Sequence, residues 1–187
     1  MYQIDNITVG EYFSLKDSTS YDIFIDTLKG DNNFLGKSCK VSALTFNEVE
    51  VMKGIFREPN FNDIKDLFIL LYSIRGNIKE SAELQFLNAS IFDLFKAKNF
   101  LLGFIEGVIR KEQTWLSGDE SDEKLLRLNA SERLKPFSNI LTKIRIAEQF
   151  KCTPKEVGEW KYIDVFNILV ANKVKDDLQR EYSQIKG

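Results

Sequence analysis

The sequence predicts an all-α protein: helical hairpins packed around one long central helix, then a C-terminal helical segment. Three observations carry this. Thr-x-x-Glu stands ahead of an apolar run at Thr8, Thr45 and Thr153. The apolar residues Ile64, Leu67, Phe68, Leu71 and Tyr72 fall at helical spacing, and from Ile91 to Ile109 the longest apolar stretch recurs at threes and fours.

Each Thr-x-x-Glu reads as a capping box. The Thr hydroxyl accepts from the amide three residues on, and the Glu reaches back to the Thr amide, so two otherwise unpaired donors at a helix start are satisfied. The pairs Ile7 with Tyr12, Leu44 with Val49 and Cys152 with Val157 flank the boxes as hydrophobic staples, and Pro154 takes the first helical position, where its missing N–H costs nothing. The boxes at Thr8 and Thr45 are each followed by a further helical pattern, "YDIFIDTL" and "FNDIKDLFILL". They head either a diverged internal repeat of two hairpins or simply two separate helix starts.

Asn60 with Asp63 starts the helix over Asp63 to Ile74, whose apolar stripe nearly surrounds it, and "RGN" from Arg75 stops it. Ser90 to Leu116 makes the longest helix, on the order of 40 Å at the α-helical rise. Gly103 and Gly107 share one of its faces and would let another backbone approach. "SGDESDEK", with Asp119, Glu120, Asp122 and Glu123, reads as a solvated acidic loop lacking the spaced ligand pattern of a calcium loop. A short helix from Asp122 to Leu128, a helix from about Pro136 to Phe150 and a last one after Thr153 follow. That last segment is read as placing Trp160, Ile163, Phe166, Ile168, Leu169 and Val170 on one helix that turns fully polar after Val174. The organisation is thus 1–116, a helical region with the long helix; 117–124, the acidic loop; and 125–187, a C-terminal helical region.

With 187 residues and 15 Phe, the chain can bury a core without staples. Cys39 and Cys152, its two cysteines, read as reduced apolar groups. The start "MYQIDNITVG" lacks the basic and apolar regions of a secretion signal, which predicts a protein made and kept in a cytoplasm. The run "IFDLFKAKNFLLGFIEGVI" is broken by Asp93, Lys96, Lys98 and Glu106, so no membrane span is expected.

The chain contains no histidine, which removes the commonest general base and metal ligand together with every Ser-His or Cys-His arrangement. No nucleotide-binding glycine motif or nucleophile elbow occurs, and two cysteines are too few for a thiolate zinc site. Acidic pairs such as Asp63 with Asp66 or Asp176 with Asp177 read as exposed helix faces. The expectation is a non-enzyme with no catalytic residue, no cofactor and no metal.

Charge is unevenly distributed. Met1 to Asp66 holds seven basic and eleven acidic residues, whereas Lys124 to Lys151 holds seven basic against Glu132 and Glu148, within a net charge of -2. Complementary ends can steer head-to-tail association. Lys143 and Arg145 in the basic stretch, with the aromatic anchors Trp160 and Tyr162, are therefore the candidate interface residues. The basic stretch has no aromatic interleaving and no reading helix, so nucleic acid is not the expected partner.

The opening "ITVGEY", the segment from Asp22 to Gly30 and the ending "EQFKCTPKEVGEWKYIDVFNILVANK" together resemble small helical structural proteins of tailed bacteriophages. These are the connector or ring proteins stacked between portal and tail, as in crAss-like phages, and the tail assembly chaperones. The resemblance covers about the first thirty and last forty residues. It implies a structural subunit of the virion, assembled in the bacterial host cytoplasm, forming a homo-oligomeric ring and touching portal or tail subunits. The alternatives it leaves are a tail assembly chaperone and a small DNA-associated regulator.

Overall fold

A computed structural model describes residues 7–18, 24–25, 27–76, 80–117, 130–134 and 137–185. The fold is all-α. Among the described residues there are nine α-helices: α1 (Val9–Phe13), α2 (Phe46–Arg57), α3 (Phe61–Leu71), α4 (Ala82–Leu87), α5 (Ile91–Leu116), α6 (Ala130–Leu134), α7 (Ser138–Phe150), α8 (Pro154–Glu159) and α9 (Tyr162–Ile185). A 3-10 turn spans Val41–Ala43, and β pairing among these residues is confined to isolated bridges. The acidic loop, the short helix expected at Asp122 to Leu128, Pro136 and most of "YDIFIDTL" lie outside the described residues.

All three capping boxes form. The amides of Thr8, Thr45 and Thr153 donate to Glu11, Glu48 and Glu156 at 2.8, 2.7 and 2.7 Å, and each Glu amide donates back to its Thr hydroxyl at 3.2 Å. The apolar residue one turn on, Tyr12, Val49 or Val157, is buried each time. Asn60 caps α3 as expected, accepting from the Asp63 amide at 2.9 Å.

Several boundaries differ from the sequence reading. Helix α3 stops at Leu71 rather than at "RGN". Ser73 turns left-handed with φ 48, and the Ile74 amide reaches the Ile69 carbonyl at 2.9 Å, which closes the last turn and buries Tyr72 and Ile74. Helix α4 has only six residues and a Ser81 cap without an acidic partner, so its start is faint in the sequence. Trp160 does not begin the last helix; it caps α8, and α9 starts at Tyr162. Nor is the end of α9 fully polar, because Val174, Leu178, Tyr182 and Ile185 face outward there. Among the described residues a Cβ at Gly103 or Gly107 would meet nothing within 4 Å, so none of them makes the close backbone approach expected there. It occurs at Gly30, where a Cβ would sit 2.8 Å from the Phe100 nitrogen.

The chain forms two compact units, one of Met1–Val41 with Met52–Gly107, the other of Ser42–Val51 with Val108–Gly187. In the first, Phe34 meets Phe68, Tyr72 and Phe86 at ring separations of 5.2, 5.8 and 5.7 Å. In the second, Phe46, Ile146, Ala147, Val157 and Val165 form the core.

The units share one internal plan. In the first, the α1 box is bridged to the start of α5: Val9 donates to the Ala89 carbonyl at 2.9 Å and Ile91 to the Ile7 carbonyl at 3.2 Å. In the second, the α2 box is bridged to the start of α9: Phe46 donates to Trp160 at 2.8 Å and Tyr162 to Leu44 at 2.9 Å. A six-residue helix precedes each long one. Before that comes a helix, α3 or α7, closed by a left-handed residue, Ser73 or Lys151, with a bond from the next amide back five residues. Ser-Ile-Phe-Asp-Leu-Phe from Ser90 then corresponds to Lys-Tyr-Ile-Asp-Val-Phe from Lys161. Phe86 matches Val157 and Leu94 matches Val165, all four buried. The Thr8 and Thr45 boxes do head a repeat, but each pairs with a helix far along the chain and not with the pattern that follows it.

Two outcomes follow for stability. Gly30→Ala is expected to destabilise the protein by about 1–3 kcal/mol, because the obstacle is backbone and cannot rotate away; a denaturant melt checks it. Thr153→Ala should cost about 1 kcal/mol. Bonds from the Thr153 amide and hydroxyl hold the Glu156 carboxyl below its ordinary 4.5. A depressed carboxyl contributes stability above the unfolded value and loses it as pH falls through the folded one. The variant's melting temperature should therefore fall less steeply than the parent's below about pH 4.5.

Candidate interaction surface

The four residues singled out by charge and aromaticity all lie in the second unit. Lys143, midway along α7, donates to Asn47 Oδ1 at 2.6 Å and sits 5.8 Å from the Phe46 ring centre, so its charge is taken up against α2. Arg145 is exposed and pairs with Asp176 of α9 at 2.5 Å. That hydrogen bond, with the charges of Arg145, Arg180 and Lys175, holds the Asp176 carboxyl below its ordinary value. Trp160 stands edge-on to Phe150 at 5.4 Å and packs against the unit's core. Tyr162 also packs there, parallel to Phe46 at 6.5 Å, and its hydroxyl donates to Glu112 at 2.9 Å. Burial first, then the Glu112 charge and hydrogen bond and the Glu50 charge, push the Tyr162 phenol far above its ordinary range.

The arrangement is a scaffold of polar struts around a small core. Asn139 donates to Glu50 at 3.2 Å and Asn47 to Glu159 at 3.1 Å, tying α7 and α8 to the first turns of α2. A Cβ at Gly158 would overlap the Asn47 side-chain amide, which would have to turn away from Lys143 and Glu159 to make room. No group of three metal-ligating side chains occurs among the described residues, and none of their helices is long and apolar enough to cross a membrane. Neither the buried Tyr72 nor the half-buried Tyr162 has a phenol poised to ionise near neutrality.

A different set of residues faces outward. Phe137, the residue capping α7, and Ile140, Leu141 and Ile144 on it form a stripe between 37% and 56% exposed, with Leu134 of α6 also exposed. Ile146 and Ala147, buried on the same helix, face the core. The sequence carries both faces: positions 137, 140, 141 and 144 have the spacing of one apolar side, and 146, 147 and 150 belong to another. Reading a single stripe per helix conceals the outer one.

No family model, curated protein or solved structure matches the chain.

Trp160→Ala is expected to cost about 2 kcal/mol in a denaturant melt, less than for a fully buried ring, because Trp160 is half-buried against the core. A variant that melts like the parent would show the ring to be dispensable for folding. Tyr162→Phe should cost roughly 1 kcal/mol through the lost bond to Glu112, without changing helical content by circular dichroism.

Proposed function

We propose that this chain is a non-catalytic structural subunit of a tailed-phage particle, a connector or ring component between portal and tail. Its partners are portal or tail subunits and further copies of itself. The observation that carries the reading is the outward stripe Phe137, Ile140, Leu141 and Ile144, since contiguous exposed apolar residues mark a surface meant to be covered. The likeness of the chain's two ends to phage structural proteins supplies the setting. The lack of histidine and of any nucleotide motif supports a role without chemistry. Lys143 and Arg145 are already engaged by Asn47 and Asp176, which takes support from the DNA-associated alternative.

Mass spectrometry of purified particles tests this. Several copies per particle are expected. Abundance in the infected-cell lysate with absence from the particle would instead mark a tail assembly chaperone.

A further inference from the structure

The repeat places a lysine at the same point of both units. Aligning α3 with α7 on their left-handed closing residues, Ser73 and Lys151, sets Lys65 against Lys143. Lys65 is held in an ion pair by Glu83 at 2.6 Å. Lys143 meets an amide instead: its Nζ donates to Asn47 Oδ1 at 2.6 Å and lies 5.8 Å from the centre of the Phe46 ring. Aligning the Thr8 and Thr45 boxes sets Gly10 against Asn47, so the first unit has no side chain to offer at that point. The lysine belongs to the shared plan, and the amide in front of it belongs to the second unit alone.

The Asn47 carboxamide is closely held. It rests against Gly158, where a Cβ would come within 2.7 Å of its Cγ and Oδ1, and its Nδ2 donates to Glu159 Oε1 at 3.1 Å. A carbonyl carbon stands about 1.2 Å from its oxygen, so Nζ, at 2.6 Å from Oδ1, is at most about 3.8 Å from Cγ. Reacting atoms held near about 3–3.5 Å behave as though at very high concentration, which is what an otherwise slow aminolysis of an amide needs. Neither group against Nζ is a carboxylate, so the proton that the amine must shed is not held in an ion pair as it is at Lys65.

We propose that Lys143 and Asn47 form an intramolecular isopeptide bond, with Glu159 carrying the proton. The Lys143 ammonium gives one proton to water, and the lone pair of the free amine attacks Asn47 Cγ, forming the Cγ–Nζ bond while the carbonyl electrons move onto Oδ1. The Glu159 carboxylate, already against Nδ2, takes a second proton from Nζ and passes it to Nδ2. The electrons on Oδ1 re-form the carbonyl, the Cγ–Nδ2 bond breaks, and ammonia leaves and takes up a proton from water. Nothing is oxidised or reduced: an ammonium and a primary amide become a secondary amide and an ammonium ion.

The link ties α2 to α7 across 96 positions. Ser42–Val51 is the part of the second unit that the chain separates from the rest by Met52–Gly107, and closing so long a loop covalently restricts the unfolded chain.

Intact-mass spectrometry of the purified full chain under denaturing conditions tests the proposal. The chain should be lighter than its sequence by one ammonia, and a protease digest should yield a branched peptide joining the segments around Asn47 and Lys143. Lys143→Arg, with unchanged circular dichroism, should keep its full mass. Glu159→Gln should accumulate the link at least about ten-fold more slowly, since a positioned acid–base group is worth that much or more. A parent at full mass would leave the contact a hydrogen bond and overturn the proposal. So would ammonia lost without a branched peptide, which marks a cyclic imide, or a Lys143→Arg chain that loses ammonia as the parent does. Glu159→Gln linking as fast as the parent would remove Glu159 from the reaction. If Lys143→Arg does not fold, the parent's mass and branched peptide still decide. The bond forms within one copy and needs no partner, so its absence would leave the virion reading standing, and absence from virions would leave the bond standing.

Discussion

Two pairs of backbone hydrogen bonds organise the protein. In each unit a Thr at a helix start is held against the residue that precedes a long helix, Thr8 by Ser90 and Thr45 by Lys161. Such a junction fixes the start of two helices at once, and the capping box leaves the Thr with the extended backbone the bridge needs. Once those starts are set, the apolar residues of the first turns, Val9 and Tyr12 or Phe46 and Val49, have nowhere to go but inward. The short helix and the left-handed closure before it then follow as the route by which the chain returns to the bridge.

The two units solve the same geometry with different side chains. Where the short helix crosses the box helix, Gly10 lies under Leu87 in one unit, and Gly158 lies under Asn47 in the other: the small residue has changed sides. Where Leu67, Leu71, Leu101 and Ile105 are buried in the first unit, the corresponding positions in the second are Arg145, Gln149, Asn172 and Asp176, joined as Arg145–Asp176 and Asn172–Gln149. Exposed pairs of this kind add little, typically under about 1 kcal/mol each, so the second unit relies on a smaller core. Trp160 and Tyr162 at its edge matter more to it for that reason.

How much was legible follows from range. The all-α class, the three boxes and the Asn60 cap could be read because each signal lies within four residues and its bonds are local. Helix α4 was missed because a six-residue helix with a lone Ser cap carries almost no periodicity. The repeat stayed hidden because its halves are interleaved and their small residues have exchanged places. Trp160 and Tyr162 read as anchors for a partner, but whether an aromatic ring turns inward depends on Phe46 and Phe150, and Phe46 stands more than a hundred positions away. The α7 stripe had its signal in plain spacing, obscured by a second apolar face on the same helix.

The interleaving of the repeat sets an order of events during synthesis. The first unit's last segment, ending at Gly107, emerges from the ribosome well before Lys161, to which the Thr45 box must bridge. At roughly 5–20 residues per second, Phe46 and its capping box wait on the order of ten seconds for their partner. During that interval the segment Ser42–Val51 is flanked in the chain at both ends by segments of the first unit, which can already be complete, while Phe46 and Val49 lack the later residues they are buried against. A nascent chain stalled between residues 107 and 160 would therefore be a finished first unit with an unpaired apolar turn inserted between its two segments, a form suited to capture by a holding chaperone.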